Sequence, residues 1–242
     1  MVARDILNLQ ARDAALPAQE ANRTAAAAAR GLRGLLRDAL RPEHDQVDQA
    51  FSALDLGRDD HYLRFLRAQH TGLARIAQSI DPALPAPRSG PALPQMLAAL
   101  DADLSDMGDS APPVLPASPV TPLHPLAVDY VIIGSRLGTK VLRQRRATAI
   151  MHKAGATNTA DQAMRYLCLP NDPALWQEFC AHAQSIPAEG PIADLILHHA
   201  RRCFGFFAAA IQEQQTRLAY AQAPRECSTT TFVRFSHTYQ DD

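Results

Sequence analysis

Residues 30–54 read RGLRGLLRDALRPEHDQVDQAFSAL. Leu32, Leu36, Leu40, His44, Val47, Phe51 and Leu54 follow one another at intervals of three or four, the spacing that gathers side chains on one face of an α-helix. The stripe predicts a buried helical face, and His44 is expected to point at the core. A neutral imidazole there needs a hydrogen-bond partner or a metal, because an unpaired polar group in apolar surroundings costs about 1–3 kcal/mol. Asp48, one turn on, can hold one ring nitrogen while the other binds a metal. Two readings stand for His44: a satisfied core histidine, or a metal ligand. Arg30, Arg33, Arg37 and Arg41 form a second ladder offset from the leucines. It is either a solvated basic face, with Asp38 and Glu43 as local partners, or a clamp for an anionic ligand. Pro42 removes a backbone donor, so the helix either bends there or a new one starts there.

Outward from this segment, proline placement divides the chain. Of its 18 prolines, 11 lie between Pro82 and Pro125, whereas 43–81 and 126–169 contain none. The proline-free blocks predict helices, one over 59–80 on Leu63, Leu66, Leu73, Ile76 and Ile80 with Asp59 or Asp60 as its cap. Further helices are expected over 94–107, 126–151, 160–168, 173–185 and 191–219, several with proline in the first turn. Residues 110–125 read as a proline-rich extended connection, and strand alternation is weak everywhere except 229–235. The expected fold class is all-α, with a helical domain over 30–219, an N-terminal extension over 1–29 and a C-terminal tail over 220–242.

The chain has 242 residues, 47% of them hydrophobic, which suffices for one sizeable core. Its 24 basic and 25 acidic residues leave a net charge of −1, which argues against a nucleic-acid binder held by its bulk field. No run of about eighteen apolar residues exists to span a membrane. Asp5, Asp13 and Glu20 interrupt the first thirty residues, where no apolar signal core occurs. A cytoplasmic location is expected. Cys168, Cys180, Cys203 and Cys227 make no CxxC pair, so reduced thiols are expected.

A second segment, LAVDYVIIGSRLGTKVLRQRR over 126–146, places Gly134 and Gly138 one turn apart inside a predicted helix. Each costs about 1 kcal/mol relative to alanine. Either another helix packs closely there, or a flat ligand approaches the backbone. The pattern is no phosphate loop, since it lacks GxxxxGK[ST] and a preceding strand.

Taken together, LRPEHDQVDQAF over 40–51, the downstream YVIIGSRLG over 130–138, and Ala200, Phe204 and Phe207 on the last helix resemble the haem oxygenase family. The likeness is nearest to the bacterial biliverdin-producing members that accompany bacteriophytochromes, and it covers residues 31–218. It implies a multi-helix fold that sandwiches haem b between a proximal and a distal helix. His44 matches the axial iron ligand, and Asp48 the acidic position that hydrogen-bonds to it. Gly134 and Gly138 match the distal glycines against the porphyrin face. Arg37 and Tyr130 match propionate partners; Arg41, Arg136, Phe204 and Phe207 complete the expected haem-binding set. Ser135 and Thr139 join the glycines as the expected catalytic wall.

The chain also departs from the family. Ser135 stands where animal members carry a catalytic aspartate, a residue that bacterial relatives often replace with ordered water. Thr139 replaces a common third glycine, so its side chain could narrow the pocket or bring a hydroxyl to bound oxygen. Leu40 replaces a frequent threonine, and the N-terminal extension and C-terminal tail have no counterpart.

The resemblance implies oxidative cleavage of haem to biliverdin, with release of iron and carbon monoxide and with O2 activated on His44-ligated iron. An external electron donor of ferredoxin or flavodoxin type is expected, because the chain carries no flavin or nicotinamide fingerprint; a bacteriophytochrome is a candidate biliverdin acceptor. The main rival is a haem- or tetrapyrrole-binding protein of the same fold that stores or senses its ligand. A more distant one is a helical interaction module in which His44 and the glycines only pack. His198 and His199 face different sides of one helix and are read as surface or linker residues; Trp176 and Phe179 are read as core.

Overall fold

The computed structural model describes residues 31–114, 121–152 and 163–222. The expectations for Arg30, the N-terminal extension, the strand over 229–235, Cys227, and residues 160–162 of a helix over 160–168 fall outside those residues, as does most of the C-terminal tail; Ala163 and Met164 are not helical, so that helix is shorter than expected and begins at Arg165. Among the described residues the chain is all-helical: α1 (Gly31–Ala39), α2 (Arg41–Ser52), α3 (Asp59–Gln78), α4 (Ala92–Asp106), α5 (Pro125–Met151), α6 (Arg165–Cys168), α7 (Pro173–Gln184) and α8 (Pro191–Gln222). The only extended pairing among them is an isolated parallel bridge between Ile80 and Leu123, closed by Leu123 N donating to the Ser79 carbonyl at 2.8 Å. No helix among the described residues is long and apolar enough to cross a membrane.

The question posed by Pro42 resolves as a restart. α1 ends at Ala39, Leu40 turns, and α2 begins with Pro42 in its first turn, where the missing N–H costs least. On the near side of that break Leu32, Leu36 and Leu40 are fully buried. On the far side none of the residues of α2 is buried. The apolar stripe therefore continues only half-buried through Val47 and Phe51, at the edge of the core, and is buried again at Leu54. Gly31 anchors the start of α1: it adopts φ 59°, and a Cβ there would run into the Gln184 and Ile186 carbonyls.

α8 is the spine, packing against α1, α2, α3 and α5. Its inner face carries Ala193, Ile196, Ala200, Cys203, Phe204, Phe207, Ala210 and Ile211, all buried; the small residues among them let neighbouring helices approach. At the α3 crossing, Phe207 lies where a Cβ on Gly72 would be. Burial pushes the Cys203 thiol up to about 12, so it packs as an inert apolar group.

Buried charges staple α5 and α6 in place. Arg146 is fully buried; it donates to the Leu56 carbonyl and to Asp59 Oδ1 at 3.0 and 3.1 Å, and its guanidinium lies 4.2 Å from the Tyr62 ring centroid. Asp59 therefore serves α5, while Arg58 occupies the N-cap position of α3 without a side-chain cap and binds Asp60. The expected capping by either aspartate is not what the chain does. Asp129 accepts from Ser89 N, Ser89 Oγ and Arg88 N at 2.8, 2.7 and 3.1 Å. Asp103 accepts from the Arg165 and Tyr166 amides at 2.9 Å each, although burial still raises its carboxyl above the usual range.

His124 caps α5: its Nδ1 accepts from Leu126 N at 3.2 Å, and its own amide donates to His199 Nδ1 at 2.8 Å. His199 is thus buried and structural, contrary to the expected surface role. Both acceptor nitrogens require neutral imidazoles, since imidazolium has no lone pair to offer. Burial lowers both histidines below the ordinary histidine range. The unfolded chain then binds more protons than the folded one in mild acid, and stability present above about pH 6.5 is lost as pH falls below it. Thermal melts at pH 7.5 and 5.5 should show this decline. His124→Asp, which retains a cap worth about 1 kcal/mol without an imidazole to titrate, should show a smaller one.

Candidate functional site

The largely exposed face of α5 that borders a cavity is set by helical period. Gly134, Gly138, Val141 and Arg145 recur at steps of four, three and four, so they share one face. With residues of α2, α3, α7 and α8 they line a cavity of about 550 Å3, within the roughly 300–1,000 Å3 common for small-molecule and cofactor sites. α2 contributes His44, Val47, Asp48, Phe51 and Ser52; α3 contributes Phe65 and Gln69; α8 contributes Phe204 and Phe207. α8 packs against both α2 and α5 and so fixes one wall relative to the other. Arg201 on α8 strengthens this link, donating to Glu43 Oε1 at 2.9 Å and to the Ala39 carbonyl at 3.3 Å.

His44 lies at the cavity wall, with its side chain 55% exposed. The expectation that it points into the packed core is corrected, and the break at Leu40 is the reason: α2 borders a cavity where α1 borders protein. Its Nδ1 stands 3.1 Å from Asp48 Oδ2, the carboxylate contact predicted from spacing. The ring makes an edge contact with Phe204 at 5.9 Å between centroids, and no described group hydrogen-bonds Nε2. One nitrogen is therefore oriented and the other is available.

The two glycines are not packing devices. A Cβ on Gly138 would meet nothing within 4 Å, and one on Gly134 would only touch Trp176 at 3.5 Å. Of the two explanations open from sequence, close helix packing is excluded. What remains is a bare stretch of helix facing a void. Next to it sits Tyr130, whose ring contacts Trp176, Phe179 and Phe204 at 6.1, 5.9 and 6.5 Å. Burial raises its hydroxyl above the ordinary tyrosine range, with the charge of Arg37 acting against that rise. No described group hydrogen-bonds that hydroxyl.

The remaining candidates divide. Ser135 lines the cavity, but its hydroxyl donates to the Ile132 carbonyl at 2.8 Å. Thr139 does not line it; one residue beyond Gly138 it is turned about a quarter of the way round the helix, and its hydroxyl reaches the Ser135 carbonyl at 3.5 Å. It neither narrows the cavity nor offers a hydroxyl there. Arg136 is also off the cavity, buried and donating to the Tyr166 and Leu169 carbonyls at 3.4 and 2.9 Å. Arg37 and Arg41 are exposed outside the lining, the first paired with Asp38 at 2.8 Å and the second 3.7 Å from Asp45. Sequence reading missed Arg145, Gln69 and Trp176. Arg145 carried a usable signal, its register with the glycines.

Among the described residues no three His, Cys, Asp or Glu side chains group to hold a bare metal ion. His44, oriented by Asp48, lines the same cavity as Gly134 and Gly138, a set that could hold a group that brings its own metal and needs one protein ligand. No protein-family model matches the chain, and no curated protein does.

The two kinds of glycine give opposite outcomes on substitution. Gly138→Ala should stabilise the ligand-free protein by about 1 kcal/mol, since alanine gains helix propensity and meets no neighbour. Gly72→Ala should destabilise it by about 1–3 kcal/mol, because the new methyl displaces Phe207. Chemical denaturation of the two variants checks the pair.

Proposed function

We propose that the chain binds haem b through His44 and degrades it oxidatively, as a biliverdin-producing haem oxygenase. The observation that carries this reading is the sharing of one cavity by His44, held at Nδ1 by Asp48, and by Gly134 and Gly138, which no protein contact requires to be glycine. When bound, haem supplies the iron that activates O2 and the ring that is opened to biliverdin, iron and carbon monoxide.

The chain's own residues supply the rest. Asp48 holds the His44 proton at Nδ1, which leaves the Nε2 lone pair as the ligand atom and raises its basicity. His44 would hold the group through a neutral imidazole, which lacks the electron push of a thiolate. Gly134 and Gly138 leave their stretch of the wall without side chains, which would give a flat ligand and a small molecule room beside the helix. Phe51, Phe65, Phe204 and Phe207 keep the interior apolar, and Tyr130 brings a hydroxyl donor. Electrons come from outside, from a donor of ferredoxin or flavodoxin type.

A second reading, a binding or sensing protein that does not turn its ligand over, draws on one observation. Ser135 and Thr139 spend their hydroxyls on their own helix, so neither donates into the cavity. Titration with hemin should give a Soret band of histidine-ligated ferric haem, and His44→Ala should weaken binding at least tenfold or abolish the band; an unchanged spectrum in the variant removes the assignment. With ascorbate or reduced ferredoxin in air, the Soret band should then decay as a broad red absorbance grows. Stable haem through that treatment selects the second reading.

A further inference from the structure

A planar group ligated by one histidine has its second face free for a smaller molecule, and the haem reading leaves open which side chain would meet that molecule. Ser135 spends its hydroxyl on the Ile132 carbonyl, and Phe204 and Phe207 of α8 carry no polar side-chain atom. We propose that Gln69 on α3 is the hydrogen-bond donor of the cavity interior, its amide held by Tyr166 and offered to a small acceptor, an anion or water, bound beside the haem. The proposal rests on the haem reading and deepens it.

Three observations carry it. Phe65, Gln69 and Gly72 recur at steps of four and three, so they share one face of α3. Gln69 therefore stands between the Phe65 ring and the Phe207 ring seated against Gly72, and Phe65, Gln69 and Phe207 all line the cavity. A primary amide in such apolar company is costly unless its carbonyl and its N–H groups are both paired. The carbonyl is paired, since Gln69 Oε1 accepts from the Tyr166 hydroxyl at 2.9 Å. The nitrogen donates to no described group.

Tyr166 also settles which half of the amide faces it. The phenol is buried, and burial raises it above the ordinary tyrosine range, with Arg136 acting against that rise, so it keeps its proton. Gln69 Oε1 is the one described acceptor for that proton. Turning the amide over would leave it without one, so the Gln69 nitrogen stays on the side away from Tyr166. The phenol itself is held at its backbone and its face: Tyr166 N donates to Asp103 Oδ2 at 2.9 Å, and the Arg136 guanidinium lies 5.4 Å from the ring centroid. The other lining donors lack such a mount. Tyr130 and Trp176 sit against each other at 6.1 Å between ring centroids, and Arg145 is exposed.

The test titrates the hemin-loaded full chain by absorbance, the ferric form with fluoride and with azide, and the dithionite-reduced form with carbon monoxide, which accepts hydrogen bonds poorly. Gln69→Met keeps the side-chain length and removes the donor; it should weaken fluoride and azide binding about five- to tenfold and leave hemin and carbon monoxide affinities within about twofold. Tyr166→Phe, which frees the amide to turn, should give a smaller loss of about two- to fivefold with the same selectivity for the anions. Unchanged fluoride and azide binding in Gln69→Met, an equal loss for carbon monoxide, or an anion-selective loss in Tyr130→Phe or Arg145→Gln without one in Gln69→Met overturns the proposal while haem binding stands. Absence of a His44-dependent Soret band in the unmodified protein takes down the haem reading itself, and this proposal with it.

Discussion

Everything in this structure depends on how closely α8 approaches α3. The contact is set by a pair of opposites: Phe207 lies on α3 in the space a Cβ at Gly72 would fill. Placing an aromatic ring on bare backbone buries a large apolar surface at short interhelical distance. It also decides where the ring stops. Phe207 ends as floor of the cavity rather than filling it, and α8, so seated, carries Phe204 toward His44 and packs against α5.

The cavity itself arises from two local departures from good helix sequence. Pro42 ends the run of buried leucines and restarts the chain as α2, whose apolar residues Val47 and Phe51 border open space. Gly134 and Gly138 strip side chains from the facing helix at a cost of about 1 kcal/mol each. A protein interior normally closes such gaps, because unfilled apolar walls forgo dispersion contacts. Here the walls are held apart by interactions outside the cavity: Arg201 with Glu43 and Ala39 on one side, Arg146 with Asp59, Leu56 and Tyr62 on the other. Arg146 is fully buried although Asp59 is half exposed, and a buried charge is costly to deprive of its partners, so these staples resist collapse. Anything that binds in the cavity gains from walls already in position.

The sequence by itself determined the helices and their approximate limits, because apolar spacing and proline placement are local and need no partner. It also determined that His44 and Asp48 sit one turn apart, a distance that helix geometry alone dictates, and that Gly134 and Gly138 share a face. Those pairs were legible for the same reason that Arg145 could have been: a helix repeats its faces whatever surrounds it. Thr139 and Arg136, named from the family likeness, lie off the cavity lining, since neighbours on a helix point in different directions.

Only the tertiary structure decided what each face meets. Whether an apolar stripe touches protein or a void depends on where a distant helix comes to rest, which is why Leu36 is buried and His44, on the same stripe, is half exposed. Whether a glycine serves a neighbour or a ligand is equally non-local: Gly72 lies under Phe207, while Gly138 faces nothing. The charges follow the same rule. Asp59 looked like a cap for its own helix and instead closes on Arg146, eighty-seven residues away, because a buried guanidinium takes whichever carboxylate the packing brings to it.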